Sequence, residues 1–165
     1  MDQLSNSHPA ARNRTAVERK SDRELVVTRM FDAPPHVVFK AWSKPELFRR
    51  WWVPASAPIS LVSCDMDVQT GGKYRLEFGD GSNSMAFYGK YLDVVPDSRI
   101  VWTNDEDEEG AVTTVTFEER GGQTLLTFHE IYPSKEALDE ALAGSAAGLP
   151  EQFEQLEALL STLDA

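Results

Sequence analysis

The side chains in this chain that could do chemistry are few and scattered. There are three histidines, His8, His36 and His129. His8 lies in a polar N-terminal stretch and His36 opens a helix-forming segment, so both read as solvated. His129 sits between Phe128 and Glu130 in a β-patterned run and shares a face with Leu125 and Thr127. Two roles stand open for it: a hydrogen-bonded sheet histidine, or an acid/base group facing a cavity. Cys64 is the single cysteine. It adjoins Asp65 without a nucleophile motif, excludes an intrachain disulfide, and fits a reducing cytoplasm. No H-x-x-x-H, C-x-x-C or carboxylate–histidine spacing supports a metal, so no metal, cofactor or catalytic residue is assigned. Gly71-Gly72 and Gly121-Gly122 read as hairpin turns rather than phosphate cradles, since no helix follows either pair. The hydroxyls of Tyr74 and Tyr91 remain. They lie on alternating positions of apolar strands, need partners if buried, and suit hydrogen bonding to a ligand in an apolar pocket.

The groups that would surround such a ligand are concentrated between Phe31 and Pro54, FDAPPHVVFKAWSKPELFRRWWVP. Phe39, Trp42, Phe48, Trp51 and Trp52 fall in two short helix-like pieces punctuated by prolines. Two adjacent tryptophans on a short helix point in different directions, so one of Trp51 and Trp52 faces inward and the other faces outward or towards a cavity mouth. The bland alternative is that Trp42, Trp51 and Trp52 simply fill a core.

Composition bounds the rest. A chain of 165 residues, 41% hydrophobic and 26% charged, fits one globular domain. No apolar run approaches the ~20 residues of a membrane span. Residues 1–22 lack aromatics and an apolar signal core and read as a disordered tail before a single domain at 23–165. The net charge of −11 argues against a nucleic-acid partner. The run from Asp105 to Glu109 reads as a solvated hairpin loop, lacking the spaced carboxylates of a calcium loop.

The elements follow from periodicity and punctuation. Glu24 to Phe31 is β-branched and reads as a strand. Asp32 is placed to cap the helix that Pro34-Pro35 introduces, and Pro45 opens the second short helix. From Ile59 the period becomes two. Tyr74, Leu76 and Phe78 alternate with Lys73, Arg75 and Glu77, the last two forming a surface ion pair. Gly79-Asp80-Gly81 signals a hairpin, and Gly89 suggests a bulge or bend. Ser134 offers a cap to a helical region in which Leu138, Leu142, Leu149, Phe153, Leu156, Leu160 and Leu163 share a face, with a break expected near Gly148 and Pro150. The prediction is an α+β domain: a curved antiparallel sheet of about seven strands wrapped round a C-terminal helix, with two short helices after the first strand.

This order, the segment FDAPPHVVFKAWSKPELFRRWW, the stretch from Asp65 to Arg75, and G-K-Y-L-D-V-V-P from Gly89 to Pro96 resemble the activator-of-heat-shock-protein-90-ATPase-homologue-like group. That group belongs to the START-like, or SRPBCC, helix-grip superfamily, which includes the birch-pollen-allergen and polyketide cyclase folds. The resemblance covers residues 24–163. It implies an internal apolar cavity between sheet and long helix that takes lipids, hormones, polyketides or other small hydrophobic molecules. One departure is Gly148-Leu149, where members of the group often carry Gly-Trp. The eukaryotic chaperone activators also have a separate N-terminal domain, for which the tail here is too short.

With the resemblance, the expected cavity wall comprises Trp42, Phe48, Trp51, Trp52, Tyr74, Leu76, Phe78, Phe87, Tyr91, Trp102, Phe117 and His129, with Phe153 and Leu156 opposite on the helix. Three functions stay open. The first is non-enzymatic binding of a small hydrophobic ligand by a cytoplasmic monomer or weak homodimer. The second is a cyclase- or aromatase-type enzyme, for which His129 is the candidate acid/base. The third is a stress-related or chaperone-binding adaptor, which calls for a filled core and an exposed apolar patch.

Overall fold

A computed structural model describes residues 14–57, 59–79, 84–105 and 110–163. His8, the Asp80–Gly81 turn and the Asp105–Glu109 run beyond Asp105 lie outside the described residues. Eight antiparallel strands form one sheet: β1 (Ala16–Arg19), β2 (Glu24–Phe31), β3 (Ser60–Met66), β4 (Lys73–Gly79), β5 (Ser84–Val95), β6 (Arg99–Thr103), β7 (Val112–Arg120) and β8 (Gln123–Ile131). Their spatial order is β1-β2-β8-β7-β6-β5-β4-β3. The helices are α1 (Pro35–Ser43) and α2 (Pro45–Phe48) after β2, then α3 (Lys135–Ala143), a 3-10 turn at Ser145–Gly148 and α4 (Leu149–Leu160). The α+β class, the curved antiparallel sheet and the break at Gly148 match the helix-grip expectation.

Two elements correct the sequence reading. The strand β1 falls inside the stretch read as a disordered tail, and it raises the strand count to eight. All four of its residues are exposed, so it carries no apolar alternation to read. It is held by antiparallel pairing, Ala16 opposite Thr28 through Arg19 opposite Leu25. The second correction concerns Asp32. No side chain caps α1. The Asp32 carboxylate instead accepts from Gln123 Nε2, and its N–H donates to Glu157 Oε2 at 3.3 Å. The loop is thereby tied to both β8 and α4.

Local chemistry explains the remaining turns. The β7–β8 hairpin closes with Arg120 opposite Gln123, and both loop residues have positive φ, 61° at Gly121 and 87° at Gly122. That is the two-residue turn whose twist suits a hairpin, and glycine adopts it without steric cost. The bulge in β5 lies at Leu92, where the register shifts between Tyr91 and Asp93, and not at Gly89. Gly89 is small for another reason: a Cβ there would stand 2.0 Å from the Thr103 carbonyl oxygen. Ser134 Oγ accepts from Ala137 N at 3.1 Å and caps α3 as expected.

The sheet buries one face. Leu25, Val27, Phe31, Val115, Phe117, Leu126 and Phe128 turn inward from β2, β7 and β8, and α4 lays Phe153 and Leu156 on them. Phe153 meets Phe31 at 5.8 Å and Phe128 at 6.2 Å between ring centroids, both edge-on. Edge-to-face pairs of this kind add about 0.5–1.5 kcal/mol beyond the area they bury.

Candidate functional site

At the centre of the inner face stands Trp42, on the last turn of α1. The helix buries Val37, Val38, Ala41 and Trp42 at i, i+1, i+4 and i+5, which turns the indole towards the sheet. Its ring centroid lies 4.7 Å from Trp51, 6.0 Å from Trp52 and 6.0 Å from Trp102. One side of this cluster is solid. On the other, an internal cavity of about 50 Å³ opens between α1–α2 and strands β3 to β6. It is lined by Trp42, Phe48, Trp52, Met66, Tyr74, Leu76, Phe87, Tyr91, Ile100, Trp102 and Asn104.

Eight of the expected wall residues meet there: Trp42, Phe48, Trp52, Tyr74, Leu76, Phe87, Tyr91 and Trp102. The others lie elsewhere. Trp51 is wholly buried behind the cavity, and its Nε1–H donates to the Ala41 carbonyl at 2.9 Å. Phe78 and Phe117 are buried away from the cavity, Phe117 edge-on to Phe39 at 5.6 Å. Phe153 and Leu156 pack on the opposite half of the sheet. His129 is corrected outright. Leu126 and Phe128 turn inward from β8, so His129 turns to the outer face, where its Nε2 lies 3.0 Å from Glu24 Oε2. Strand parity gives the reason, since one residue along a strand reverses the side chain.

Three lining residues were missed: Met66, Ile100 and Asn104. Ile100, Trp102 and Asn104 follow one another at period two, and that alternation was the available signal. Asn104 was masked by its place just past β6, beside the acidic run.

The polar wall is a chain of hydrogen bonds. Tyr74 donates its hydroxyl to the Thr103 carbonyl at 2.7 Å and lies 3.4 Å from Asn104 Oδ1. Asn104 Nδ2 donates to the Ala111 carbonyl at 2.8 Å and to Thr113 Oγ1 at 3.3 Å. Thr113 donates to Glu130 Oε2 at 2.7 Å, and Tyr132 donates to Glu130 Oε1. Burial pushes the Glu130 carboxyl above its ordinary range, against the pull of those two donors. Burial likewise pushes the Tyr91 phenol up, so it stays protonated. One polar group of the lining residues differs from the rest: the Trp42 indole N–H is buried with no acceptor among the described residues. Burial pushes the Cys64 thiol up to about 11, where it stays protonated at neutral pH.

The roof over the cavity hangs from α4 by polar groups. Gln155 Nε2 donates to the carbonyls of Trp51 at 3.0 Å and Val53 at 2.9 Å, while its Oε1 accepts from Ala55 N at 2.7 Å. Gln152 donates to the Trp52 carbonyl, and Glu151 accepts from Ser56 N at 3.0 Å. The helix therefore positions Trp51 and Trp52 from behind without lining the cavity itself. Among the described residues no cluster of His, Cys, Asp and Glu could hold a metal. Among the same residues no helix is long and apolar enough to cross a membrane.

The fold recurs in solved proteins. A protein from Rhodobacter sphaeroides superposes with a TM-score of 0.80 at 22% identity, over 91% of this chain and 99% of its own. Protein Ms6760 from Mycobacterium smegmatis does so with a TM-score of 0.75 at 28% identity, over 89% and 97%. An AHSA1-like protein from Aeromonas hydrophila does so with a TM-score of 0.69 at 20% identity, over 85% and 98%. No curated protein matches the chain. The pattern described as Activator of Hsp90 ATPase homolog 1-like protein matches residues 32–161, from the loop before α1 to the end of α4, and so spans the roof and strands β3 to β8. On that match the chain belongs to the Activator of Hsp90 ATPase homolog 1-like family.

Proposed function

We propose that the protein binds a small, largely apolar molecule in the cavity beside Trp42 and does not transform it. The observation that carries this reading is a mostly apolar cavity beside Trp42, whose buried N–H finds no acceptor among the described residues. A buried unsatisfied donor costs about 1–3 kcal/mol, and a ligand oxygen would remove that cost. Apolar burial would supply the rest, at about 25 cal/mol per Å² before ordering costs.

Size sets a condition. Pockets for drug-sized ligands run to about 300–1,000 Å³, far above the 50 Å³ here. A cavity that holds a single benzene ring measures about 150 Å³, so even one ring enters only if Phe87, 36% exposed, and the part-buried Trp52 swing outward. The enzyme reading loses His129 to the outer face. Glu130 does not replace it, because both its oxygens are engaged by Thr113 and Tyr132 and it stands behind the cavity wall. The adaptor reading calls for a filled core, and the cavity tells against it. The single cysteine supports a cytoplasmic setting.

Native mass spectrometry of the protein as purified, with thermal melts against fatty acids, sterols and aromatic polyketides, tests the proposal. A bound apolar compound of defined mass, or a rise in Tm that grows with ligand concentration, is the expected result. An empty protein whose Tm none of these compounds raises would sink it.

A further inference from the structure

We propose that the cavity selects an uncharged molecule bearing a hydrogen-bond-acceptor oxygen and rejects the matching anion. This rests on the binding reading above and narrows it to a ligand class.

The argument is an account of donors. Tyr74 directs its hydroxyl to the Thr103 carbonyl, and both amide hydrogens of Asn104 go to Ala111 and Thr113. Thr113 directs its own hydroxyl to Glu130. Behind the cavity, Trp51 is satisfied by Ala41. One donor of a lining residue is buried without an acceptor among the described residues, the Trp42 N–H, and the Tyr91 hydroxyl belongs to the same wall. An indole N–H only donates, so a hydrocarbon or a pure donor leaves it unsatisfied. A carbonyl or ether oxygen satisfies it.

Charge decides between a neutral oxygen and a carboxylate. Among the described residues, none that lines the cavity is charged. The carboxyl group at the end of the polar wall is that of Glu130, one hydrogen bond behind Thr113 and two behind Asn104. It repels an anion whenever it is ionised. The chain as a whole carries −11. A carboxylate entering here loses its water and gains no counter-ion, which is the costly form of burial.

Three ring-sized probes of nearly equal shape separate these effects: acetophenone, α-methylstyrene, which replaces the ketone oxygen by a methylene, and benzoate. Titration of the full-length protein at neutral pH, followed through the assigned Trp42 indole N–H resonance, reads all three. Acetophenone should move that resonance and bind at least about fivefold more tightly than α-methylstyrene. Benzoate should bind at least about tenfold more weakly than acetophenone. The Tyr91→Phe variant, which keeps the ring, should narrow the preference for ketone over alkene. Equal binding of acetophenone and α-methylstyrene would overturn the proposal while leaving the binding reading intact. Tightest binding by benzoate would overturn its charge selectivity. If none of the three binds, the binding reading falls together with it.

Discussion

The two halves of the inner sheet face are built from the same alternation and end in different states. Under α4, Leu25, Val27, Val115, Leu126, Phe153 and Leu156 are all wholly inaccessible to solvent. Under α1 and α2, the inward positions of β4 to β6 border a cavity, and on β5 Phe87 is 36% and Met85 56% exposed. Cover makes the difference. Eight strands at about 4.8 Å span roughly 34 Å, whereas one helix with its side chains is about 10 Å across. A single helix therefore seals part of such a sheet. Two short helices and a loop, hung from α4 by Gln152 and Gln155, are left to roof the rest. The half sealed by a regular helix carries the stability, and the half roofed by short pieces keeps the space.

The sharpest way to break this comparison is a matched pair of truncations. Phe153→Ala should cost about 3–5 kcal/mol in urea unfolding, and Phe87→Ala under about 1 kcal/mol. Equal costs would mean that the halves do not differ as described. Next in size is Gln155→Ala, which removes three hydrogen bonds to the roof. A loss of about 1–3 kcal/mol and a red shift of tryptophan emission are expected. Unchanged emission would show that the roof holds without α4.

A pH series probes the polar wall between the halves. Glu130 is held above its ordinary 4.5, so the folded protein keeps that proton longer than the unfolded chain does. The stability linked to the proton is fully present below the unfolded value and is lost as pH rises through the raised folded value. His129 and Tyr132 are the titratable groups acting on it, and Thr113 donates to it. Glu24 and Asp139, held low by hydrogen bonds from His129 and Arg19, contribute with the opposite sign and remain when Glu130 is changed. The stability of the wild type minus that of Glu130→Gln should therefore fall as pH rises above about 4.5. A difference that grows with pH would refute the assignment. The smallest effect expected is that of Tyr91→Phe, within about 0.5 kcal/mol of wild type or slightly stabilising, because the lost hydroxyl is not one of the links from Tyr74 through Asn104 and Thr113 to Glu130. A clearly destabilised variant would reveal a partner for it.

Much of the fold was legible because it follows from local rules. Alternation in Tyr74, Leu76 and Phe78 identified β4 and its buried face, and the proline pairs bounded α1 and α2. Gly121-Gly122 marked a hairpin that positive φ confirms. The strand β1 was not legible, because an edge strand whose four residues are all exposed leaves no alternation in the side-chain pattern. For the site, the rings were legible as a group but their division between core and cavity was not. Trp51 and Trp52 are neighbours of one type, yet one is sealed and the other lines the cavity. His129 shows the same limit, since its neighbours Phe128 and Glu130 turn to the other face.

By itself, the amino-acid sequence determined which residues are apolar, where the period changes from helix to strand, and where the chain turns. Those features depend on backbone sterics and on neighbours within a few positions. Only the tertiary structure decided which apolar faces meet, that α4 seals β2, β7 and β8, and that the Trp42 donor is left without an acceptor among the described residues. Whether a buried donor finds an acceptor depends on groups distant in sequence and brought within about 3 Å, and one-dimensional spacing does not carry that distance.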